Sequence, residues 1–325
     1  MTNHLKNNFE IDAVIAWVDG NDEKHKKKLA QYIEDKSLLK SKGFLTRFNE
    51  VNEIEYCVKS IRKFAPYIRT IYIVTDEQTP SFLKDNLDKS EFHDIKIIDH
   101  KDIFKGYLEY LPTFNCYPIE TLLFRIPNLA EHFIYFNDDM FLINETKSTD
   151  FFTSDGFPIL RGKWAAIENS GFKDFLKSIG LKKKRISKIT YKKAHENSSK
   201  ILGIKKYFKL NHTPFPIRKS VFSDYFSKNE TILRDNIRHR FRVPTFFMVQ
   251  AHAAHLEILN QTYLSKKEYS LVHFGSTEKS LSIIKWKLFW GQKRLKKLFL
   301  NIQNLDMYSE KKLNYILNWF NDLYK

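Results

Sequence analysis

Phe133-Ile-Tyr-Phe-Asn-Asp-Asp139 places an amide and two carboxylates directly after a short apolar run. The run is rich in aromatic and β-branched side chains, which predicts a buried β-strand. Such a strand delivers Asn137, Asp138 and Asp139 to its carboxyl end. Other polar residues that reach the same edge of the sheet are candidates for the same site.

Three further runs have the same character, and strands are predicted at Ile11–Val18, Thr70–Thr75 and Ile95–Ile98. Helical patterns lie between them, at about 21–40, at Val51–Ala65 before Pro66, and at Pro118–Arg125. Alternation of strands and helices is typical of an α/β fold with βαβ units and a mostly parallel sheet.

Ligands of open α/β sheets bind outside the carboxyl ends of the strands. Asp19, Thr75-Asp76 and Asn137-Asp138-Asp139 all follow predicted strands and are expected at this edge. Asp19 precedes Gly20, which allows a ligand to approach the backbone closely. The alternative for Asp19 is a cap for the helix that begins near Asn21.

The remaining chain is predicted to be mainly helical. Lys173–Lys209 is strongly basic and has no clear strand signal, which predicts a helical insertion at about 165–210. Lys279–Lys325 mixes aromatic and aliphatic residues with many lysines in an amphipathic helical pattern. Its apolar side either packs on the core or attaches to a membrane surface. We predict a main domain over residues 1–260 and a helical C-terminal region over residues 261–325.

The charge of the chain limits its partners. Lys and Arg total 54 against 38 Asp and Glu, so the formal net charge is +16. This excess attracts nucleic acid, anionic membranes or phosphate-bearing substrates.

Cys57 and Cys116 form no CxxC pair, which argues against a disulfide framework and favours a reducing, cytosolic compartment. The sequence shows no signal peptide and no apolar span of about 18 residues.

Asp138 and Asp139 are the candidate metal ligands. Magnesium prefers carboxylate oxygens together with the phosphate oxygens of a substrate. A cation at this strand end would bridge to a diphosphate and neutralise charge on a leaving phosphate. Because acidic pairs are common, a solvated pair without a metal is the alternative.

His212 is the candidate general base. It lies in Asn211-His-Thr-Pro-Phe-Pro216, where two prolines restrict the loop. A positioned imidazole can take the proton of an attacking hydroxyl group. The alternative is an ordinary surface histidine among the 11 in the chain.

Arginines are candidates for phosphate binding because a guanidinium group donates paired hydrogen bonds to phosphate oxygens. The candidates are Arg47, Arg125, Arg238, Arg240 and Arg242. A solvated surface position is the alternative for each. Glu120 follows Pro118 at the start of a predicted helix, where it either lines a site or caps the helix.

Taken in order, these motifs resemble the Stealth family of sugar-1-phosphate transferases, which includes bacterial capsule polymerases and the eukaryotic enzyme that begins the mannose-6-phosphate tag. Ile11–Gly20 is similar to the first conserved region of the family. The blocks between Arg47 and Phe141 are similar to the second region, and His212–Pro216 to the third. Phe241-Arg242 is a weaker match to the fourth.

The resemblance implies a Rossmann-like core of the glycosyltransferase-A type. It implies transfer of a hexose-1-phosphate, namely N-acetylhexosamine-1-phosphate, from a UDP-sugar to a glycan hydroxyl, with release of UMP, in capsular or surface polysaccharide synthesis. Mg²⁺ or Mn²⁺ on Asp138 and Asp139 is the implied cofactor, with His212 as base and Arg242 on phosphate. The predicted donor-binding residues are Asp19, Arg47, Asn115, Glu120 and Arg125.

Two other functions fit part of the pattern. A metal-dependent glycosyltransferase would use the same acid pair but release a nucleoside diphosphate. A nonenzymatic nucleic-acid-binding protein would fit the charge and aromatic content, but no recognised motif supports it. We therefore expect a nucleotide sugar and a glycan acceptor as partners and no nucleic acid. The expected location is cytoplasmic, with peripheral contact between the C-terminal basic helices and the inner face of the membrane.

Overall fold

Five strands form the central sheet of the computed structural model, in the order Ile95–Asp99, Ile68–Thr75, Ile11–Ala16, His132–Asn137 and Phe215–Arg218. The structure describes residues 9–33, 51–86, 89–168, 190–275 and 277–325. The strands of this sheet are β1 Ile11–Ala16, β2 Ile68–Thr75, β3 Ile95–Asp99, β4 His132–Asn137 and β8 Phe215–Arg218. The first four are parallel and β8 is antiparallel to β4. The predicted α/β fold with a mostly parallel sheet is confirmed.

The apolar runs form central strands because both faces of this sheet are covered. In β1, five consecutive residues from Ile11 to Ile15 are buried. Helix α2, Glu53–Phe64, packs its apolar side toward the core through Ile54, Val58 and Ile61, which are at most 2% exposed. The helical spacing of these three residues in the sequence reflects the buried stripe of an amphipathic helix.

The first half of the chain contains two other short helices and the helix that follows β1. Helix α1, Glu23–Tyr32, begins at Asp22, whose carboxylate accepts a hydrogen bond from the backbone N–H of His25 at 2.8 Å. The other helices are α3 His100–Ile103 and α4 Cys116–Thr121. A 3₁₀ turn at Leu123–Arg125 continues α4, so the helical pattern predicted there is divided into two pieces.

The insertion predicted at about 165–210 contains a helix, α5, Tyr191–Ile201, as expected. Residues 169–189 lie outside the described ranges. It also contains a strand that the sequence did not predict, β7, Lys206–Leu210, which pairs antiparallel with β6, Ile159–Ala166. Lys206 and Lys209 obscured the strand pattern. Pairing with a distant strand decided its structure, because Tyr207 and Phe208 become buried there.

Three helices follow the central sheet: α6 Lys219–Lys228, α7 Glu230–Ile237 and α8 Val249–Leu259. The predicted C-terminal helices are confirmed as α9, Leu281–Phe289, and α10, Glu310–Tyr324. Three short strands precede or separate them and were not predicted: β9 Leu264–Lys266, β10 Leu271–Phe274 and β11 Phe299–Ile302. In the described part of the chain, no helix is long and apolar enough to cross a membrane.

The C-terminal region is attached to the core by a small sheet and by aromatic packing. β11 pairs antiparallel with β5, Met140–Leu142, which directly follows the acid pair. Phe320 of α10 is fully buried, and its ring lies 4.6 Å from Phe141 and 5.0 Å from Tyr56, centroid to centroid. This part of the C-terminal region therefore packs on the core, and the boundary at residues 260/261 stays a prediction.

We expect Asp12→Ala to lower the free energy of unfolding by about 3 kcal/mol, because it removes three hydrogen bonds of a buried carboxylate and leaves the buried backbone N–H of Ala130 without its acceptor. The buried carboxylate of Asp12 accepts hydrogen bonds from Arg69 Nε at 2.9 Å, Arg69 Nη2 at 2.7 Å and the backbone N–H of Ala130 at 2.7 Å. Urea denaturation measures the change. Glu10→Ala is the control, since Glu10 also pairs with Arg69 but is 66% exposed and should change stability by less than about 1 kcal/mol. Equal losses in the two variants would contradict this account.

Candidate active site

The carboxyl ends of β1 and β4 lie side by side and bring two parts of the sequence together. Ala16 pairs with Asn137, so Trp17 follows one strand where Asp138 follows the other. A cleft of about 340 Å³ opens at this edge. Its lining includes the predicted residues Asn115, Glu120, Asp138, Asp139 and Arg242. We call this the first cleft.

A second cleft of about 490 Å³ adjoins the first. It is lined by Tyr191 and His212, together with Gln250 and Gln303. The residues common to both clefts are Cys116, Glu120, Asn137, Asp139, Arg242 and Asn304. Of the residues predicted from separate parts of the sequence, Asp139 and Arg242 therefore lie where the two clefts join, while Asp138 lines the first cleft and His212 lines the second.

The turn between β4 and β5 holds the acid pair firmly. The carbonyl oxygen of Asp139 accepts hydrogen bonds from Asn301 Nδ2 at 3.1 Å and from the backbone N–H of Ile302 at 3.2 Å. Its side-chain Oδ1 is buried and has no hydrogen-bond partner within the described ranges. A buried carboxylate oxygen without a partner is costly unless a ligand satisfies it.

The electrostatics of the pair favour a cation. Burial raises the pKa of Asp138, and burial together with the adjacent charge of Asp138 raises the pKa of Asp139. Two desolvated carboxylates in one site repel each other, and a divalent cation would compensate both charges. The site therefore disfavours the doubly ionised pair until a cation is present.

The donor atoms available here fit magnesium or manganese. Among the residues that the structure describes, no group of three or more His, Cys, Asp or Glu side chains could hold a metal ion. Two carboxylates with the amide side chains of Asn137 and Asn304 in the same cleft provide oxygen ligands. Magnesium typically uses one or two carboxylates and completes its shell with substrate phosphate oxygens and water. Asp138 and Asp139 therefore fit the cation, with the remaining ligands supplied by substrate.

His212 is held as a neutral imidazole. Its ring lies 4.3 Å from the ring of Tyr191 and 6.0 Å from the nearly parallel ring of His273, centroid to centroid. Burial lowers the pKa of His212 to about 4, with additional lowering by His273 and Lys209. At neutral pH the side chain is therefore able to accept a proton.

Arg242 supplies positive charge at the junction of the clefts. Its guanidinium lies over the ring of Tyr117 at 5.7 Å, and Nη2 lies 3.8 Å from Cys116 Sγ. Neither contact uses two parallel N–H donors of the guanidinium group, as a bidentate bond to a carboxylate would. Arg242 is therefore available to bind an anionic substrate group.

Asn115 and Glu120 shape the first cleft through the short helix α4. Asn115 caps this helix, because its Oδ1 accepts from the backbone N–H of Tyr117 at 3.0 Å. Glu120 is buried and accepts a hydrogen bond from Tyr135 Oη at 2.9 Å. Burial raises its pKa. The capping alternative considered for Glu120 thus applies to Asn115 instead.

Two predicted donor-binding residues, Asp19 and Arg125, line neither the first nor the second cleft. Arg125 donates to the carbonyl oxygens of Ile103 at 2.9 Å and Lys105 at 2.6 Å and lines neither cleft. Asp19 lines an adjoining cleft of about 800 Å³ that shares Trp17 with the first cleft. Arg47 lies outside the described residues. The structure therefore does not bring Arg125 to the acid pair, because neighbouring backbone carbonyls occupy its guanidinium.

Several residues around the clefts were missed by the sequence interpretation. Asn304 and Asp306 line the first cleft, and Gln303 lines the second. They follow β11. Its pairing with β5 places them close to residues that precede them by more than 160 positions in the sequence. The available signal was weak: polar residues directly after a short apolar run, with Asn304 in the left-handed conformation at φ 54°.

Known sequence families match this chain over the same motifs. The profile of Stealth conserved region 1 matches residues 9–37, and that of conserved region 2 matches residues 47–159. The receptor polysaccharide phosphotransferase WefC of Streptococcus gordonii is 34% identical over 256 residues, which is 73% of this chain and 74% of the relative. The capsular polysaccharide phosphotransferase fcs1 of Haemophilus influenzae is 36% identical over 264 residues, 74% of this chain and 65% of the relative.

Relatives at this level of identity are transferases, and the fold and site described above define this chain as an enzyme of the same class. The predicted resemblance is confirmed. The chain belongs to the Stealth family, as the identity with WefC over about three quarters of both chains shows.

Solved structures similar in shape include the galactosyltransferase LgtC, with a TM-score of 0.43, 11% identity and coverage of 96% of this chain and 95% of that one. The glycosyltransferase GlyE of Streptococcus pneumoniae has a TM-score of 0.44, 12% identity and coverage of 98% and 62%. At these scores the likeness carries no conclusion about substrate or chemistry. The strand order of the chain itself is the basis of the fold assignment.

Proposed function

We propose that this enzyme transfers N-acetylhexosamine-1-phosphate from a UDP-sugar to a hydroxyl of a glycan acceptor, forming a phosphodiester and releasing UMP. The setting is capsular or surface polysaccharide synthesis, in keeping with the names of the relatives WefC and fcs1. The observation that carries the proposal is the junction of two clefts at Asp139 and Arg242, with His212 in only one of them. Two substrates require two binding places that share one reacting centre.

The first cleft is the proposed donor side. It contains both carboxylates of the acid pair, while the second cleft contains only Asp139. A diphosphate brings the phosphate oxygens that magnesium or manganese needs to complete its shell. Asp138 and Asp139 would hold that cation, which neutralises charge on the phosphates. Arg242, at the junction, would bind the oxygens of the phosphate next to the sugar.

The second cleft is the proposed acceptor side. His212 would accept the proton of the acceptor hydroxyl through its neutral imidazole, whose pKa is lowered to about 4 by burial. The hydroxyl oxygen then forms a bond to the phosphorus nearest the sugar. The bond between this phosphorus and the oxygen bridging the two phosphates breaks, and its electron pair leaves with UMP. The proton stays on His212 until it is released to solvent.

We further propose that the enzyme acts in the cytoplasm, at the inner face of the membrane. The free thiols of Cys57 and Cys116 suit a reducing compartment, and the basic C-terminal helices suit an anionic membrane surface. We propose no nucleic-acid partner, because the sequence contains no recognised nucleic-acid-binding motif.

The expected nucleotide product is UMP. Purified protein is incubated with Mg²⁺, a panel of UDP-sugars and glycan primers, and the nucleotides are separated. Acceptor-dependent UMP supports the proposal, while UDP would identify a glycosyltransferase and contradict it. Omitting the primer and adding EDTA should each abolish the signal, since transfer needs both the acceptor and the cation. UMP release that needs no acceptor would indicate simple hydrolysis.

A further inference from the structure

Helix α9 and the turn that follows it carry a ridge of exposed apolar side chains. Residues that are between 42% and 60% exposed form this aromatic ridge: Ile283, Trp286, Phe289, Trp290 and Leu295. The rings of Trp286 and Trp290 lie 6.2 Å apart, centroid to centroid. Exposed apolar clusters of this kind on soluble proteins mark binding surfaces. No residue of the ridge lines either of the two clefts.

Close packing prevents the ridge from turning inward. On the opposite side of α9, Ile284 and Leu288 are fully buried. A Cβ atom at Gly291 would lie 2.2 Å from Cγ2 of Val272, so the backbone of the helical turn rests directly on β10. Lys287 Nζ also donates to the carbonyl oxygen of His273 at 2.7 Å. The exposure of the ridge is therefore a fixed property of the fold.

The charges around the ridge have one sign. The segment Lys279–Lys297 contains seven Lys and Arg residues and no Asp or Glu. The basic residues that lie beside the ridge and are exposed are Lys285, Lys293, Arg294 and Lys296. No ion pair of these four is found within the described part of the chain, and the guanidinium of Arg294 lies 5.8 Å from the ring of Phe289. The ridge is thus framed by cations that face solvent.

We propose that the aromatic ridge docks on the surface of an anionic lipid bilayer. Tryptophan and phenylalanine insert at the boundary between head groups and acyl chains, while lysine and arginine beside them contact lipid phosphates. A second copy of the chain fits poorly, because two such ridges would bring like charges face to face. Nucleic acid fits poorly as well, because strand-binding proteins stack bases on aromatic residues in a groove, whereas this surface is the exposed side of a helix and includes the aliphatic residues Ile283 and Leu295.

Docking at this place would hold the acceptor side near the membrane. The ridge ends at Leu295, and β11 of four residues separates it from Gln303 and Asn304 in the second cleft. The inference does not depend on the proposed chemistry, because no residue of the ridge lines either cleft. Membrane binding and phosphate transfer can therefore fail or succeed independently.

The test is flotation of the full chain with vesicles. Vesicles that contain phosphatidylglycerol are expected to carry the protein upward, while vesicles of phosphatidylcholine alone are not, and added salt should weaken the binding. Trp286→Ser with Trp290→Ser should lower the bound fraction by at least about tenfold, because the apolar contact is lost. Leu259→Ser, which changes a 54% exposed leucine on α8, is the matched control and should bind like the wild type.

A second pair of variants tests the charges. Lys293→Gln with Lys296→Gln should weaken vesicle binding, while Lys200→Gln with Lys228→Gln removes two exposed lysines elsewhere and should not. All variants are expected to keep the thermal midpoint and the rate with a soluble primer. Wild-type protein that remains at the bottom with anionic vesicles would overturn the proposal. Binding of single-stranded DNA, or self-association, that the ridge variants abolish in place of vesicle binding would overturn it as well.

Discussion

Replacing Asp139 by Asn is expected to lower kcat for phosphate transfer by about a thousandfold, which corresponds to a loss of about 4 kcal/mol of transition-state stabilisation. The physical reason is the buried Oδ1 of Asp139, which has no partner within the described residues and is therefore available to a cation. Asparagine keeps the volume of the side chain but brings no negative charge. The measurement is the rate of UMP formation at increasing Mn²⁺ or Mg²⁺ concentration.

The thermal stability of the Asp139→Asn variant distinguishes loss of cation binding from loss of the fold. The pKa of Asp139 is raised in the folded protein by burial and by Asp138, so the folded state binds this proton more tightly than the unfolded chain. The ionised carboxylate therefore destabilises the folded protein at neutral pH when no cation is present. With EDTA present, Asp139→Asn should unfold at the same temperature as the wild type or at a higher one.

The matched control is Asp155→Asn, which makes the same change at an exposed position outside both clefts. It should retain the wild-type rate. An Asp139→Asn enzyme with an unchanged rate would contradict the assignment of the acid pair. A variant that unfolds early in EDTA would show instead that the carboxylate supports the fold.

Replacing His212 by Gln is expected to lower kcat by about a hundredfold to a thousandfold, which is the usual contribution of a general base. Glutamine preserves much of the side-chain volume beside Tyr191 but cannot take the proton of the acceptor hydroxyl. The effect should appear in kcat more than in KM for the UDP-sugar, because the proposed donor side does not include His212. Steady-state kinetics with a soluble glycan primer measure both.

The pH profile provides an independent test of the same residue. Because the pKa of His212 is lowered to about 4, the imidazole is deprotonated throughout the neutral range and loses its basic nitrogen only as the pH approaches about 4. At saturating Mg²⁺, where a bound cation would keep Asp138 and Asp139 ionised, the wild-type kcat/KM should fall as the pH approaches about 4, and the His212→Gln enzyme should lose this acidic limb. His93→Gln, at an exposed histidine, is the control and should keep the wild-type profile. An unchanged rate in His212→Gln would remove the base assignment.

Much of the site was predictable because its residues belong to local motifs. Asp138 and Asp139 directly follow β4, so the apolar run alone determined that they would reach the sheet edge. His212 was predicted from a loop that contains Pro214 and Pro216, and the structure places it in the second cleft, which also contains Asp139. Their proposed roles stay predictions until the variants are measured.

Arg125 shows why residue type alone was insufficient. A guanidinium group serves equally well for substrate phosphate and for backbone carbonyl groups, since both accept its hydrogen bonds. Only the path of the chain around Ile103 and Lys105 decided that Arg125 would bind carbonyl oxygens. Arg242 has the same chemistry, but it lies where two clefts meet and forms no ion pair with a carboxylate among the residues that the structure describes.

By itself, the sequence determined the α/β class, the four parallel strands, the acid pair at a strand end and the family. These properties arise from short runs, in which apolar periodicity and strand order are local. Only the tertiary structure decided which distant residues complete the site, among them Asn301, Gln303 and Asn304. Their position depends on the pairing of β11 with β5, and the energy of such pairing comes from the contacts between the strands, which neither strand alone encodes.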